Sequence, residues 1–558
     1  MTFTLDPYAA RSCAVKTQHR FTPGLRPEPT EALQESFHGG VDHGEQVALE
    51  LQRSGPVVDL RGRDVDEAHR ETERAMREGA GVILDAALRP DPVGHRSGRV
   101  DVLVRSTQRP DTAEPTYFPV LVKSHRMQER RKSGRENTWE VLIGSCADPA
   151  PHPSRTAADR ALRRREADLL QLAHLYRMLA DAEQAADLDG TRLGGVIGTD
   201  EVSGVDGPVV TWVDLDAPLL LTFSRSEPTG KKYRSAMERY DHEHAFRVDV
   251  ATNALAGGAA KVQPIRVDEC EWCPWWSTCE PIMGPQDLSA RLHTAPLDVR
   301  EIRALRALGI WTIDDLAEAD LETLLPDYLP EVTHRHAADK RLRNAAHRSR
   351  MMRDGVELER ITSGPVEVPR ARLEIDFDLE TYEDRAYLWG FLIHDRERSD
   401  SPWYKAFTAW EPLDDAGELA LAREALQWLR ELAATTETRI YHYSAYERRY
   451  LARVAGASAE WDWVDGWMDH HFVDLYPPVR QNFFGSHGLG LKVAARAGAG
   501  FHWRDADPSG LNSLQWYEEA IGAPEEEQGR AARRRLLEYN EDDVRATWEL
   551  RAWLTSLD

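Results

Sequence analysis

Near residue 378 an apolar, strand-like run carries two acidic side chains. The segment RLEIDFDLE places Asp378 and Glu380 two residues apart. Because successive side chains of a strand point to opposite faces, residues i and i+2 share a face, and the two carboxylates converge. Adjacent carboxylates on an apolar strand repel one another unless a cation lies between them. Their oxygens suit Mg²⁺ or Mn²⁺, so this strand predicts a divalent-metal site.

The elements predicted around this run follow a definite order. RLEIDFDLE, AYLWGFLIH and PWYKAFTAW are three successive β-like runs, and an amphipathic helix (416–433) and the strand TRIYHY come next. These assignments rest on apolar alternation in the strands and on helical periodicity in the helix. Three strands, then a helix and a strand, is the RNase H-like order. We therefore expect a mixed α/β chain that ends in an RNase H-like domain at residues 371–558.

Two further segments carry residues suited to complete a metal site. Tyr539 and Asp543, in LLEYNEDDVRATWELRAWL, are four residues apart and so share one face of a predicted helix. Glu447, in YHYSAYE, follows a strand and opens a helix. A carboxylate completes a metal shell, and a phenol orients the attacking water. Two metal ions about 4 Å apart then stabilise both the attacking and the leaving oxygen of an in-line displacement.

FDLET, YHYSAYE and YNEDDV, in this order, resemble the three exonuclease motifs of the DEDDy subclass, most closely those of the YprB-like RNase H domain. The resemblance implies a metal-dependent 3′–5′ exonuclease in which Tyr539 positions the water. The implied ligands of Mg²⁺ or Mn²⁺ are four carboxylates: Asp378, Glu380, Glu447 and Asp543. The general pattern has Asp at the second motif, where this chain has Glu447, one methylene longer. Lys492, in the similar stretch GLGLKVAA, is implied as a phosphate contact.

The cysteines form a second constellation. Cys270, Cys273 and Cys279 have the spacing C-x2-C-x5-C, and Cys13 lies near the start of the chain. Four thiolates gathered from both ends of a domain can hold either a [4Fe–4S] cluster or a Zn²⁺ ion, and both readings stay open. Cys146, alone in GSCADP, is expected to be an ordinary thiol.

This cysteine arrangement resembles that of the iron–sulfur RecB-type nucleases, including those of CRISPR adaptation. The resemblance spans residues 1–285. It implies a PD-(D/E)XK domain in which the cluster links the N-terminal and C-terminal segments. It places Asp101, in GRVDVLVR, on the first metal-binding carboxylate and Lys123, in YFPVLVKSH, on the motif lysine. We expect both to contact nucleic acid. Other β-like runs in this region are VILDAAL, GGVIGTD and PVVTWVDL, and residues 157–186 have helical periodicity.

The PD-(D/E)XK pattern is incomplete at one position. Two residues before Lys123 the motif requires Glu or Asp, and this chain has Leu121. Leucine cannot bind Mg²⁺, so we expect a degenerate nuclease domain that binds nucleic acid or supports the second domain. Glu45 matches the upstream acidic residue. Gln171 fits the helical Gln motif, although Tyr176 lies one residue beyond the usual spacing.

Two shorter regions join the domains. Residues 286–350 read as helical, and VREIRALRALGIWTIDDLAEADLETLL resembles a helix-hairpin-helix with Gly309 in its turn. Such hairpins present backbone N–H groups to phosphates, but a plain helical linker fits the pattern equally well. Residues 351–370 lose periodicity and carry Gly and Pro, which predicts a linker.

Composition limits how this chain meets nucleic acid. The 70 Lys and Arg against 94 Asp and Glu give a net charge of −24, which argues against coating a nucleic acid. Local basic patches remain at residues 124–135, 163–165 and 533–535, and each also fits a solvated face. No apolar run approaches the roughly 20 residues of a bilayer span, so we expect a cytoplasmic protein without a membrane partner.

The order of the two domains resembles that of RecB-like nucleases in which a YprB-like exonuclease domain follows. We therefore expect hydrolysis of DNA or RNA from a 3′ end, in DNA repair or nucleic-acid processing. The alternative is a non-catalytic nucleic-acid-binding accessory factor with both nuclease sites impaired. No G-x-x-x-x-G-K-[ST] motif is present, so an unwinding helicase would be a separate protein.

Overall fold

The computed structural model describes residues 2–28, 38–107, 114–130, 141–200, 202, 205, 207–382, 385–398, 401–456, 459–506, 510–522 and 526–558. The chain forms two compact units. Unit 1 comprises Met1–Ala290, Asp298–Leu308 and Glu322–Asp339. Unit 2 comprises Arg291–Leu297, Gly309–Leu321 and Lys340–Asp558. Both units take residues from the predicted 286–350 connector, and the predicted boundaries at 285, 350 and 370 stay predictions.

Unit 1 is built on an eight-stranded mixed sheet with the strand order β1-β2-β3-β4-β9-β10-β6-β7. These strands are β1 Val57–Asp59, β2 Val82–Asp91, β3 Arg96–Arg105, β4 Tyr117–Val122, β6 Val141–Ser145, β7 Thr156–Ala157, β9 Leu193–Ile197 and β10 Val209–Asp214. Two two-stranded sheets accompany it, β5 Gln128–Arg130 with β8 Arg160–Leu162 and β11 Leu220–Phe223 with β12 Lys231–Arg234. The five β-like runs predicted in this region are therefore confirmed as strands.

Six of the described helices belong to this part of unit 1. They are α1 Ala14–Phe21, α2 His38–Ser54, α3 Val65–Arg77, α4 Glu166–Asp181, α5 Ala236–Leu255 and α6 Trp276–Met283. Helices pack on both faces of the sheet. Leucines of α4 pack on one face, and Val47 and Leu51 of α2 pack on the other. The helix predicted from residue 157 is wrong in its first part. Residues 160–162 pair with β5 instead, because strand pairing outweighs local helical periodicity there.

Short helices occupy the predicted connector. They are α7 Leu288–Arg291, α8 Val299–Ala307, α9 Ile313–Glu318, α10 Leu321–Tyr328 and α11 Ala338–Arg353. Gly309, between α8 and α9, has a φ of +86°, a left-handed conformation that favours glycine. The helix-hairpin-helix itself stays a prediction. The predicted 351–370 linker contains the end of α11 and the short strand β13 Leu358–Arg360.

Unit 2 contains a five-stranded sheet with the order β16-β15-β14-β17-β18. The strands are β14 Leu373–Tyr382, β15 Arg385–Asp395, β16 Trp403–Thr408, β17 Thr438–His442 and β18 Phe472–Asp474, and β19 Phe483–Gly485 pairs with β13 outside this sheet. β14, β15 and β16 are antiparallel neighbours, whereas β17 and β18 run parallel to β14. The predicted order of three strands, a helix and a strand is confirmed, and so is the mixed α/β class.

The helices of unit 2 lie on the two faces of its sheet. They are α12 Asp415–Ala433, α13 Tyr446–Ala455, α14 Val464–His471, α15 Tyr476–Asn482, α16 Leu491–Ala494, α17 Gly510–Gly522 and α18 Glu527–Thr555. The apolar side chains of β14 pack with α12, α13 and α14 in one core. Leu536 of α18 contributes to a second core and Leu550 to a third.

The other face of β14 carries a stripe of four carboxylates at alternate positions. Its members are Glu374, Asp376, Asp378 and Glu380. Arg551 of α18, 1% exposed, neutralises the first two. Its Nη1 donates to Glu374 Oε2, its Nη2 donates to Asp376 Oδ2 at 2.8 Å, and it lies over the Tyr441 ring. Burial raises the pKa of Glu374, but the hydrogen bonds and charges of Arg370 and Arg551 hold that pKa below its ordinary value.

Arg551→Met should destabilise unit 2 by about 3–5 kcal/mol, because it leaves buried Asp376 without its arginine partner and leaves Glu374 paired only with Arg370. Arg545→Met is the matched control on the same helix. Arg545 pairs with Glu541 in a partly exposed i,i+4 ion pair, a kind of pair that contributes about 0.5 kcal/mol. Urea unfolding of both variants measures the difference. Equal stability of the two variants would contradict the proposed dependence on Arg551.

Candidate functional site

Three carboxylates from two elements meet at the end of β14. One ligand oxygen from each of Asp378, Glu380 and Asp543 lies within 4.8 Å of the others. Within the described ranges this is the one group of three or more Asp, Glu, His or Cys that is so close. Glu380 and Asp543 are buried, and Asp378 is partly buried. Such clustering of oxygen ligands is typical of a divalent-cation site.

The electrostatics of this group favour a cation. Burial, and then the charges of Asp543, Glu380 and Glu447, raise the pKa of Asp378 well above its ordinary value. Burial and the Asp543 charge raise the pKa of Glu380 to about 8. Burial raises the pKa of Asp543 to about 6, although Lys492 and a hydrogen bond from Trp503 lower it. The same carboxylates would ionise readily beside a divalent ion.

Glu447 lies at the start of α13 and is 5% exposed. Its charge raises the pKa of Asp378, but it is not a member of the 4.8 Å group. Its Oε2 atom is buried and has no hydrogen-bond partner among the described residues, and it lies 3.4 Å from His442 Nδ1. An unsatisfied buried carboxylate oxygen calls for an explanation, and a bound cation supplies one.

The turn before Glu447 has a strained backbone and is stabilised by a residue from a later segment of the chain. Ser444 has a φ of +87°, which is rare for a residue other than glycine. Asp474 Oδ1 accepts hydrogen bonds from the backbone N–H groups of Ser444, at 2.9 Å, and Tyr476, at 2.8 Å. Strain of this kind is stored at functional sites more often than elsewhere. The segment 473–478, which contains Asp474, therefore stabilises the turn before Glu447.

Asn540 of α18, which the sequence analysis did not identify, orients Asp378. Its Nδ2 donates to Asp378 Oδ2 at 2.8 Å, and its Oδ1 accepts from the Tyr404 hydroxyl at 2.8 Å. Gly390 pairs with Asp378 across the β14–β15 ladder, and a Cβ there would lie 1.6 Å from Asn540 Oδ1. Only glycine at 390 leaves room for this amide.

Tyr539 and Asp543, one helical turn apart on α18, have different partners. Lys492, the residue predicted to contact a phosphate, donates a hydrogen bond from Nζ to the Tyr539 hydroxyl at 2.8 Å. Trp503 Nε1 donates to Asp543 Oδ1 at 2.7 Å. Burial and the Asp543 charge raise the pKa of Tyr539, which keeps its hydroxyl protonated. Nothing in the local sequence around Trp503 predicts this contact.

In unit 1 the structure places Asp101 and Lys123 near each other, on β3 and just after β4. Asp101 Oδ2 accepts a hydrogen bond from the Val122 N–H at 2.8 Å, and Lys123 Nζ donates to Gln171 Oε1 at 3.0 Å. Burial lowers the pKa of Lys123, and the charge of Asp101 opposes that shift. Leu121 is fully buried in the core against α4, and Glu45 is exposed on α2.

The four predicted cysteine ligands line one cavity, the cysteine cavity, defined by Cys13, Cys270, Cys273 and Cys279. Glu269 Oε2 accepts from the Cys13 N–H at 2.9 Å, which ties the start of α1 to the cysteine-rich loop. The Val267 N–H donates to Cys270 Sγ at 3.5 Å, and His19 Nε2 lies 3.3 Å from Cys279 Sγ.

Cys146 lies apart from this cavity. Its thiol donates to the Pro208 carbonyl at 3.5 Å, and burial raises its pKa to about 12. Burial of this kind is typical of a structural thiol.

The predicted basic patches have varied surroundings. Arg535 pairs with Asp505 at 2.6 Å, and Arg534 pairs with Glu527 at 3.1 Å. Arg165 Nε donates to the Arg126 carbonyl at 3.2 Å. Part of the patch at 124–135 lies outside the described residues, from residue 131 onward.

Comparison with protein-family models gives a match in the C-terminal part of the chain. The family model RNase_H_2 of the RNase H superfamily matches residues 375–555, so the C-terminal region is RNase H-like. This match supports a nuclease-type function in general. No curated protein and no solved structure matches the chain significantly. None of the described helices has the length and apolarity that a bilayer crossing requires.

Asp378→Asn should stabilise the metal-free protein at pH 8 by about 1–3 kcal/mol. A carboxyl group whose pKa is higher in the folded than in the unfolded protein favours the folded state most at a pH below its unfolded pKa, where the group is protonated in both states. That contribution is lost as the pH rises through about 6 for Asp543 and about 8 for Glu380. Removing the Asp378 charge reduces this loss. Thermal unfolding in chelator from pH 5 to 8 measures the effect, with Glu538→Gln, an exposed site on α18, as control. An Asp378→Asn variant less stable than wild type at pH 8 would contradict the repulsion between Asp378 and the carboxylates of Glu380 and Asp543.

Proposed function

From the RNase H-like character of residues 375–555, we propose that this protein is a metal-dependent 3′–5′ exonuclease acting on DNA or RNA. The observation that carries the proposal is the unequal neutralisation of the carboxylate stripe on β14. Glu374 and Asp376 share Arg551, whereas Asp378 and Glu380 meet a third carboxylate, Asp543, within 4.8 Å. A divalent ion offsets that concentration of charge.

The donor set fits Mg²⁺ or Mn²⁺. Asp378, Glu380 and Asp543 would hold the ions, and Glu447 offers the unpartnered buried oxygen described above. Oxygen-only donors are those that these hard cations prefer. Bound divalent ions supply charge stabilisation for both the attacking and the leaving oxygen of the phosphodiester.

The remaining residues would orient the reaction. Lys492 holds the Tyr539 hydroxyl beside Asp543, where the phenol can align a water molecule with the scissile phosphorus. The water oxygen forms the new P–O bond and loses its proton to solvent. The P–O3′ bond breaks, and the leaving 3′-oxygen takes up a proton from solvent. A nucleoside 5′-monophosphate is released, and the shortened strand ends in a new 3′-hydroxyl. Asn540 keeps Asp378 in place throughout.

We also propose that the cysteine cavity holds a [4Fe–4S] cluster rather than zinc. Tetrahedral zinc, with Zn–S bonds of about 2.3 Å, requires sulfurs about 3.8 Å apart. Among the described residues no three cysteine sulfurs form a group within 4.8 Å. Four cysteines that line one cavity without three sulfurs so close together favour a cluster that has several iron atoms between its ligands. The predicted DNA-repair role and separate helicase stay predictions.

Asp378→Asn and Glu380→Gln should each lower the exonuclease rate about a hundredfold or more, because each removes a metal-binding charge. Single-stranded DNA and RNA with a 5′ label are incubated with Mn²⁺, and products are resolved by length. We expect stepwise shortening from the 3′ end by wild type and by the control Glu538→Gln. A blocked 3′ end should prevent it. Binding without any cleavage by wild type would favour the accessory-factor alternative, and shortening from the 5′ end would refute the polarity.

Anaerobically purified protein should absorb at about 400 nm, since iron–sulfur clusters are coloured and zinc is not. Cys273→Ser should abolish this absorbance, because Cys273 lines the cavity. Cys146→Ser, which removes a cysteine outside the cavity, should retain it. A colourless protein with one zinc ion by metal analysis would rule out the cluster.

A further inference from the structure

Unit 1 contains a cavity of about 960 Å³. We call this cavity the arginine cleft because six arginines line it: Arg11, Arg234, Arg239, Arg247, Arg300 and Arg303. They are drawn from the start of the chain, from β12, from α5 and from α8. The cleft lies in neither of the two sites considered so far, although Cys13 also borders it.

The arginine cleft is positive in a strongly acidic protein. Its six arginines face four carboxylates, Glu166, Glu243, Glu269 and Asp298, an excess of two positive charges. The whole chain, by contrast, has a net charge of −24. A concave surface with the opposite sign to the rest of the molecule concentrates ligands of complementary charge. The ligand of this cleft should therefore be an anion.

Half of these arginines already have acidic partners. Arg239 and Arg247 both pair with Glu243, and Arg11 lies 3.8 Å from Asp168. These pairs fix the wall of the cleft rather than offering charge to a ligand.

The other three arginines, Arg234, Arg300 and Arg303, make no ion pair within the part of the chain that the structure describes. Arg234 donates to the Phe223 carbonyl at 3.0 Å. Arg303 is exposed. Uncompensated guanidinium groups in a cavity are the groups with which a phosphate can pair.

Arg300 is held in position by aromatic contacts. Its guanidinium carbon lies 3.5 Å from the centroid of the Phe223 ring, and the His334 ring meets the same phenylalanine edge-on at 5.4 Å. Burial, and then the charges of Arg225 and Arg303, lower the pKa of Arg300. The charges of Asp298 and Glu331 offset only part of this shift, and a bound anion would offset more of it.

A further polar atom lines the same end. His334 Nε2 lies 2.7 Å from Asp298 Oδ2, whereas its Nδ1 atom is buried and has no hydrogen-bond partner among the described residues. The side chain of His334 is 13% exposed. A ligand oxygen or a water molecule would satisfy this nitrogen.

We propose that the arginine cleft binds a single strand of nucleic acid, with Arg300 and Arg303 pairing with its phosphates. A guanidinium presents its N–H donors in a planar fork that matches phosphate oxygens. A cavity of this size accommodates a few nucleotides of one strand, as it would a small ligand, and is too small for a duplex. The choice of nucleic acid rests on the proposed exonuclease function.

Binding without cleavage tests this inference. Full-length protein carrying Asp378→Asn is titrated, in chelator, into fluorescein-labelled oligo(dT) and oligo(U) of about 20 nucleotides, and fluorescence anisotropy is followed over a range of salt concentrations. Arg300→Gln/Arg303→Gln removes both charges and keeps the side-chain stems. Arg70→Gln/Arg89→Gln is the matched control, since both arginines are exposed residues of unit 1 outside the cleft.

The cleft variant should raise Kd about tenfold or more. It should also lower the slope of log Kd against log salt by about 1.4, since each phosphate contact on a single strand contributes about 0.7. The control should leave both values unchanged. If the double variant does not fold, Arg303→Gln alone, at an exposed position, should lower the slope by about 0.7.

The same Kd and slope in the cleft variant and the control would overturn the inference, as would the absence of any oligonucleotide binding by the parent. ATP and inorganic phosphate are added as competitors. If either blocks the cleft while oligonucleotide binding is insensitive to Arg300 and Arg303, the cleft serves a free phosphate compound and the strand is excluded. Cleft-dependent binding by a protein that never hydrolyses a strand would refute the exonuclease and leave this inference standing.

Discussion

Charge balance along one face of β14 is the constraint on which unit 2 depends. Four carboxylates at alternate positions must lie under α18, and buried carboxylates are costly unless cations or hydrogen bonds neutralise them. Arg551 neutralises Glu374 and Asp376 at one end of the stripe. At the other end α18 adds a carboxylate, Asp543. One end of the strand therefore carries carboxylates that are neutralised by arginine, and the other end carries carboxylates suited to bind divalent ions.

The proposed ligands are held by residues that contribute no charge to the metal. Asn540 reaches Asp378 because Gly390 leaves the space open, and Trp503 fixes Asp543 by its indole N–H. Asp474 holds the strained turn before Glu447. Such supporting contacts matter because the two-metal reaction depends on ligand positions accurate to fractions of an ångström. Asn540, one of these supports, and Asp543, one of the proposed ligands, both lie on α18.

The two units offer different chemistry. In unit 1, Leu121 is part of the hydrophobic core, Lys123 donates to Gln171, and Asp101 accepts a hydrogen bond from the Val122 N–H. Unit 1 offers instead the cysteine cavity and the arginine cleft. Under the two proposals, unit 1 would bind the strand and unit 2 would hydrolyse it.

The sequence by itself determined the mixed α/β class, the strand–helix order around β14 and the apolar alternation that turns Asp378 and Glu380 to one side. These follow from local periodicity, which depends only on near neighbours. The tertiary structure alone decided that Asn540, Gly390 and Trp503 belong to the site, that residues 160–162 form a strand, and that Arg234, Arg300 and Arg303 share a cleft. Those outcomes depend on contacts between segments far apart in the chain, and no local pattern encodes such contacts.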